Sequence, residues 1–410
     1  YVMKSYPLLT VKKKGSTETQ NFDFPDWDAS TIPFPVRVIY ESDTDELLKQ
    51  AMEYAKQGAV VLWIENTVDE AQAVYQTISI DKSLFESGLL HSRFTYHDRF
   101  ENEEYWVDKL SKNGKNRNGC FLVSTQVCEQ SLDIDADVLY TKLCPTDMLL
   151  QRIGRLWRHR ENDSQRPISA PKVHIIGVKS EFLSQAETIS AYNIENFQKK
   201  WGNSAFVYEP YYLCKTAELW SNLDKVKLPE DMRSLIEQTY DKTDGKYAGL
   251  LQIVESNKKS LAMKAEMSIN INNLFSDKGT SRSFNDSFLG FSDDALTRNI
   301  TTKDQKVCLL QKEGKTILGE LVGYFKGSNR AKMKENILLA SINLPQKSVD
   351  KLENYIKEPD EKGGIVGDKY MKSLMMCRKG KFWVIANPRG DGEMKGMKFK
   401  YNKKTGWIHG

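Results

Sequence analysis

Apolar residues in the first half of the chain gather in short runs at 36–40, 59–64, 89–91, 120–123, 137–143 and 173–178, which read as strands. Between the first two runs, Ser42 or Asp43 can cap a helix that carries Leu47, Leu48, Met52 and Ala55 and stops at Gly58. Thr67, three residues before Glu70, forms a capping box for a second helix with Ala71, Val74 and Ile78 on its apolar side. Strands alternating with helices predict an α/β fold, a parallel sheet covered by helices. Further on, Pro229 begins a helical pattern through Met232, Leu235, Ile236 and Tyr240, and more helix is expected over 250–263. The stretch 270–302, rich in Ser, Asn, Asp and Gly, reads as a linker before a last domain with strands at 307–310, 338–344 and 382–386.

Composition narrows the class. With 410 residues, 40% of them hydrophobic and 28% charged, the chain has length for two or three ordinary globular domains, which excludes wholesale disorder and collagen-like structure. No stretch approaches the roughly 18 uninterrupted apolar residues of a spanning helix, so no membrane segment is expected. The opening from Tyr1 has neither the basic start nor the cleavage site of a signal peptide and reads as the continuation of something longer. Six scattered cysteines without a C-x-x-C pair argue against a disulfide framework or structural metal and for a reducing, cytoplasmic location.

A net charge of +4 conceals an asymmetry: residues 301–410 hold 23 Lys+Arg against 12 Asp+Glu, and residues 1–300 hold 36 against 43. Lys326, Arg330, Lys332, Lys334, Arg378, Lys379, Lys381, Arg389, Lys395, Lys398 and Lys400 are interleaved with Tyr324, Phe325, Phe382, Trp383 and Phe399. That pattern suits a polyanion with bases to stack, or equally a solvated basic face.

The most informative segment is Pro145-Thr-Asp-Met-Leu-Leu-Gln-Arg-Ile-Gly-Arg-Leu-Trp-Arg158, which follows an apolar strand and starts a helix near Thr146 or Asp147. At 100° per residue, Gln151, Arg155 and Arg158 fall on one face and Leu149, Ile153 and Leu156 on the other. Gly154 beside the polar stripe removes a side chain where a backbone or a phosphate can come close, and fixed guanidinium forks suit phosphate oxygens. Upstream, residues 123–135 form a polar loop between two apolar strands, at the strand end where ligands bind in parallel sheets. Its Ser124, Thr125, Gln126, Glu129, Gln130 and Asp133 suit a ribose or a nucleic-acid backbone; the alternative is a turn satisfying its own backbone.

The run Thr-Gln-Val-Cys-Glu-Gln-Ser-Leu-Asp-Ile-Asp135 and the run Gln-Arg-Ile-Gly-Arg-Leu-Trp-Arg-His159 resemble motifs V and VI of superfamily 2 helicases. More narrowly they resemble the type I CRISPR-associated helicase-nuclease, which the Glu-Gln-Ser-Leu-Asp-Ile-Asp wording and the Arg-Leu-Trp-Arg-His ending separate from DEAD-box helicases. Leu62-Trp-Ile-Glu-Asn-Thr67 is similar to motif IV, and Leu90-His-Ser-Arg-Phe94 and Val207-Tyr-Glu-Pro-Tyr-Tyr-Leu213 also fit. The resemblance implies a RecA-like sheet over 36–224, preceded by a connector at 1–35 and followed by a helical linker over 225–302 and a smaller mixed α/β domain over 303–410. It implies that Arg155 and Arg158 are arginine fingers on the γ-phosphate of ATP bound with Mg, that Gln151 and Gly154 lie at that phosphate, and that Asp133 holds the ribose. Asn66, Thr67, His91, Arg93, Thr125 and Gln126 would touch single-stranded DNA. The implied partners are an upstream nuclease, a first RecA-like domain of the same protein, single-stranded DNA and a crRNA-guided surveillance complex.

Parts of such a machine are expected outside this stretch. Gly314-Lys-Thr316 imitates a phosphate loop, but Leu309 stands where the first glycine belongs and Glu313 beside the would-be phosphate nest. Asp69-Glu-Ala-Gln72 resembles an acidic box only in letters, since it lies in a first helical turn. His97-Asp98 imitates a nuclease metal pair, yet the chain has five histidines in all, His91, His97, His159, His174 and His409, with His174 reading as a satisfied core residue. The resemblance therefore reads the chain as the C-terminal half of a motor, inactive alone; a non-catalytic nucleic-acid-binding or docking module is the alternative, and a repair translocase of the same superfamily a more distant one. If the basic stretch binds nucleic acid, affinity for single-stranded DNA will fall steeply with salt and with neutralisation of Lys and Arg in 378–400, as read by fluorescence anisotropy; a flat response would make it a solvated face.

Overall fold

The computed structural model describes residues 8–12, 15, 18–23, 35–79, 85–112, 114, 116–129, 132–190, 192–243, 245–259, 304–311, 315–316, 319–320, 339–345, 382–386, 391–394 and 397–409. Gln130, the 270–302 stretch, Gly314 and most of the basic residues between Lys326 and Lys395 lie outside them.

A hairpin of β1 (Leu8–Lys12) and β2 (Thr19–Asp23) comes first. The alternating region follows as β3 (Val36–Glu41), α1 (Thr44–Lys56), β4 (Val60–Ile64), α2 (Val68–Ile78), β5 (Glu86–Leu90), α3 (Tyr96–Leu110), β6 (Cys120–Ser124), β7 (Val138–Lys142), α4 (Thr146–Ile153) and β8 (Lys172–Ile176). Helices α5 (Ser180–Ala186), α6 (Ile194–Trp201), α7 (Ser204–Val207) and α8 (Pro210–Trp220), the short β9 (Lys225–Val226) and α9 (Met232–Tyr240) succeed it, with further helix at 248–259. The sheet has seven strands in the order β5-β6-β4-β7-β8-β3-β9, with β5–β6, β7–β8 and β3–β8 parallel and β9 antiparallel at the edge.

The start signals work as their chemistry predicts. Asp43 caps α1, accepting from the amides of Asp45 and Glu46 at 3.1 Å each. Thr67 caps α2, accepting from the Glu70 amide at 3.4 Å and donating its hydroxyl to the Glu70 carboxylate at 2.6 Å. The third strand of the chain's parallel set differs from expectation: it runs over Glu86–Leu90 rather than 89–91, because Ser87 and Gly88 dilute the apolar signal while their backbone pairs with Phe121 and Leu122. Past the gap in the described residues, β10 (Asp304–Gln311), β11 (Lys315–Thr316), β12 (Gly319–Glu320), β13 (Ser341–Pro345) and β14 (Phe382–Ala386) form one sheet, with β14 parallel to β10. A meander of β15 (Asp391–Met394), β16 (Met397–Asn402) and β17 (Gly406–His409) closes the chain.

The chain divides into two compact units, each discontinuous in sequence: Tyr1–Leu62 with Asp135–Arg298, and Trp63–Ile134 with Asn299–Gly410. In the first, α8 is buried on nearly every side, its Lys215 and Thr216 included, and packs with Phe197, Tyr247, Leu250 and Val254. In the second, Trp63 stacks on Phe121 with ring centres 6.2 Å apart, and Phe85 packs against Phe121. Cys120, Cys128, Cys144 and Cys214 are buried free thiols. Among the described residues no helix is long and apolar enough to cross a membrane.

His174 of β8 is 1% exposed and stacks on Tyr140 of β7, its register partner, at 4.3 Å and 10°. It is a core residue as its setting in the sequence predicts, but an unsatisfied one, because neither ring nitrogen has a hydrogen-bond partner. Burial, then the charges of Lys172 and Arg37, push its pKa down to about 4 from 6.5, so the ring is neutral at pH 7. Between pH 6.5 and 4 the unfolded chain takes up a proton that the folded chain refuses; the stability contribution is complete above 6.5 and is lost as pH falls toward 4. His174→Phe, which keeps the stack and removes the titration, is expected to flatten the fall of Tm across that window; an unchanged slope would show that His174 does not govern it.

Candidate nucleotide and nucleic-acid sites

The arginine-bearing segment lies in the first unit. Helix α4 stops at Ile153 with Gly154 as its C-cap, so the single helical face through Gln151, Arg155 and Arg158 is not formed. The reason is tertiary. The Ala136 amide donates to the Arg155 carbonyl at 2.8 Å and the Trp157 amide to the Ala136 carbonyl at 2.9 Å, a strand-like bridge between Ala136 and Leu156 that draws the chain out of the helix. Trp157 turns to φ +49°, a left-handed conformation that a bulky side chain adopts only when its surroundings impose it. Gly154 has an ordinary φ of −61°, and a Cβ there would meet its own helix at the Gln151 carbonyl, 3.2 Å away; its structural part is to end α4. Gln151 is exposed and Arg155 and Arg158 are half-buried, while Leu149, Ile153 and Leu156 are all buried as expected.

Behind this turn lies a network that motif reading passed over. Arg166 pairs with Asp135 (2.8 Å), Asp137 (2.6 Å) and Asp163 (3.0 Å) and stacks over Trp157 at 4.7 Å. Burial by itself would lower the Arg166 pKa, but Asp135, Asp137 and Asp163 together more than reverse it, and the net shift is upward. Removing one partner of a buried pair costs about 3–5 kcal/mol because the other charge stays in the dry interior. The signal in sequence was the Asp-Ala-Asp137 spacing, which offers two carboxylates on one side of an extended segment. Arg152, on the same helix, is fully buried and donates to Thr141 (2.8 Å), the Lys142 carbonyl (3.1 Å) and Tyr208 (3.2 Å).

The second unit gathers the residues expected to touch DNA. Asn66 and Thr67 follow β4, His91 and Arg93 follow β5, and Thr125 and Gln126 follow β6. Their loops are tied by Glu65 N–H to the Ser124 carbonyl (2.9 Å), Thr125 N–H to the Leu90 carbonyl (3.2 Å) and the Gln126 amide to the Asn66 carbonyl (2.8 Å). Thr67 and Gln126 are half-buried; Asn66 and Thr125 are 2% exposed. Asp133, in the same unit, is half-buried.

His91 and Arg93 have other partners. His91 is 0% exposed and stacks on Phe94 at 4.3 Å; its Nδ1 accepts from the Arg93 amide, so Nε2 carries the proton and donates to the Thr405 carbonyl at 3.1 Å. Burial pushes its pKa down to about 3, which keeps it neutral. The Arg93 guanidinium is paired with both oxygens of Asp69. Gln72 donates to the carbonyls of Thr405 and Trp407 at 2.7 Å each, and the Trp407 amide donates to the Arg93 carbonyl at 2.9 Å. The turn between β16 and β17 therefore covers both residues, a contact that nothing in the spacing of the sequence announces.

Comparison with known proteins finds similarity over part of the chain. Residues 57–161 match the family model of the CRISPR-associated nuclease/helicase Cas3, C-terminal. A CRISPR-associated endonuclease/helicase Cas3 of Escherichia coli (strain K12) is 46% identical over 144 residues, 35% of this chain and 16% of that protein. Over these residues the chain is similar to the C-terminal region of Cas3. Crystallised T. fusca Cas3 with ADP shares the fold at TM-score 0.62 and 21% identity, over 93% of this chain and 43% of that one. A chain in a pre-nicking CRISPR RNA-guided surveillance complex shares it at TM-score 0.64 and 20% identity, over 98% and 48%. The chain thus spans less than half the length of each of these proteins.

His97, Asp98 and Glu101 sit together at the start of α3, but Lys403 places its ammonium 3.6 Å from both Asp98 and Glu101, and Tyr401 donates to Asp98. One ammonium is thus shared between two carboxylates of the cluster. Gly406, at φ +65°, is the tightest point of the docked turn: a Cβ there would lie 2.7 Å from the Arg93 carbonyl. Gly406→Val is expected to lift the turn and speed amide exchange at 91–95 and 401–407; wild-type protection would show that docking does not depend on this approach.

Proposed function

We propose that this chain is the second RecA-like domain and C-terminal domain of an ATP-dependent helicase-nuclease that translocates along single-stranded DNA and unwinds and degrades foreign DNA in type I CRISPR interference. A preceding RecA-like domain of the same protein holds most of the ATP and its Mg, and an upstream nuclease domain cuts. A crRNA-guided surveillance complex delivers the DNA. The observation that carries the reading is the Gln151–Arg158 segment, a helix end followed by a pinned turn bearing two half-buried guanidinium groups, in a fold shared with Cas3 structures.

The donor set fits a triphosphate. Arg155 and Arg158 never lose their charge and present planar forks to phosphate oxygens, and Gln151 offers an exposed amide; Asp133, a residue of the other unit, is by itself a group that accepts from ribose hydroxyls. ATP, when bound, supplies the phosphoryl group whose developing charge the two arginines stabilise, an effect of about 10³–10⁵ in rate for arginine fingers generally. Thr67 and Gln126, with Asn66 and Thr125 behind them, line strand ends where a nucleic-acid backbone can lie. His91 and Arg93 serve that surface indirectly, by holding the C-terminal turn.

The covering of His91 and Arg93 favours a second reading, a docking module without a motor. Turnover decides between them. In the full-length protein, Arg155→Ala is expected to reduce DNA-stimulated ATP hydrolysis at least ~10³-fold with Tm unchanged within about 2 °C. Unchanged turnover would remove the finger assignment and favour the docking reading.

A further inference from the structure

We infer that Arg166, outside every motif singled out above, is the positioning residue for Arg155 and Arg158, an inference that rests on their proposed role at the γ-phosphate. Its side chain is fully buried. Nη2 donates to both oxygens of Asp135 (3.1 and 2.8 Å) and to the His159 carbonyl (3.0 Å), Nη1 to Asp137 (2.6 Å), and Nε to Asp163 (3.0 Å). Each of the first two carboxylates has a second task. Asp135 Oδ1 accepts the Arg158 amide at 2.8 Å and its Oδ2 the Asn162 side chain at 2.6 Å; Asp137 Oδ2 accepts the Val60 amide at 2.8 Å.

The turn is therefore held from both sides. Backbone bonds join Arg155 and Trp157 to Ala136, the Trp157 indole N–H donates to the Asp137 carbonyl at 3.0 Å, and the guanidinium lies against the indole ring. Arg166 is a cation common to Asp135 and Asp137, and its planar fork reaches the two at once, which a lysine's single ammonium cannot do. A left-handed tryptophan persists only where its surroundings over-determine it, and this network is that surrounding. Loosening it shifts the backbone from which both arginines project, and displacement of a catalytic group by ~1 Å costs about 10²-fold in rate.

The test is Arg166→Lys, which keeps the charge and loses the fork. In the 410-residue chain, amide exchange of residues 155–158 should rise at least ~tenfold while the amides of β4 and β6 keep their protection. In the full-length protein, kcat for DNA-stimulated ATP hydrolysis should fall at least ~tenfold with KM for ATP changed less than about twofold. A variant with wild-type kcat, or one whose exchange rises equally throughout the sheet, overturns the proposal. Trp157→Phe, which keeps a ring under the guanidinium and loses the indole bond, carries the same test if the lysine variant does not fold: a fall in kcat at constant KM supports the proposal and full kcat overturns it. Arg155→Ala assayed alongside separates two failures. If it abolishes turnover while Arg166→Lys has wild-type kcat, positioning by Arg166 is wrong and the finger reading stands; if Arg155→Ala is fully active, both fall.

Discussion

Strands β4 and β6 are buried along their whole length, five residues of five in each, and this constraint arranges much of what surrounds them. A strand apolar on both faces has no place for working polar groups along its length, because an unsatisfied polar group in such an interior costs free energy. Chemistry is displaced to the strand ends. At the carboxyl ends of β4, β5 and β6 the chain collects Asn66, Thr67, Arg93, Thr125 and Gln126, and backbone bonds from Glu65 to Ser124 and from Thr125 to Leu90 extend the ladder by one step beyond the strands. The loops that follow are short and begin from tied positions, so they are offered as a surface rather than as separate flexible links.

Charges taken into the interior follow a different rule, and the two units follow it in different ways. Asp135 and Asp137 are dry, and Arg166 answers them with a guanidinium that uses all three nitrogens. Asp98 is also dry, at 2% exposure, but it is met by the Tyr401 hydroxyl and, at longer range, by an ammonium from Lys403 that remains mostly in solvent. The first arrangement is rigid because a planar fork is satisfied in few orientations; the second tolerates adjustment, since an ammonium is a point charge on a long stem. Rigidity is found where the backbone of two arginines must be held, and tolerance where a terminal meander docks.

Local signals were legible wherever a short stretch determined its own conformation. The Asp43 and Thr67 caps, the stop at Gly58 and most of the parallel strands follow from side chains within a few residues of each other. Hydropathy marks only part of β5, because Ser87 and Gly88 pair through their backbone. The end of α4 was missed for a stronger reason. Gln-Arg-Ile-Gly-Arg-Leu-Trp-Arg158 has helical spacing throughout, and beyond the Gly154 cap the chain is kept from resuming the helix by the bridge from Leu156 to Ala136, a partner twenty residues away in sequence. Arg155 and Arg158 are half-buried charged groups on this segment, but the helical phase that would align them does not exist beyond Ile153.

By itself the sequence determined the α/β class, the capped helices, the buried strands and the two strings that lie within the stretch similar to the Cas3 C-terminal family model, because each of these is written in residues close together or in the identity of side chains. Only the tertiary structure decided that His91 is sealed under Thr405, that Gln72 reaches Trp407, and that Arg166 binds Asp135 and Asp137. Hydrogen bonds and ion pairs between positions 29 to 335 residues apart leave no periodicity in the chain, and their energy depends on burial, which exists only once the fold has excluded water.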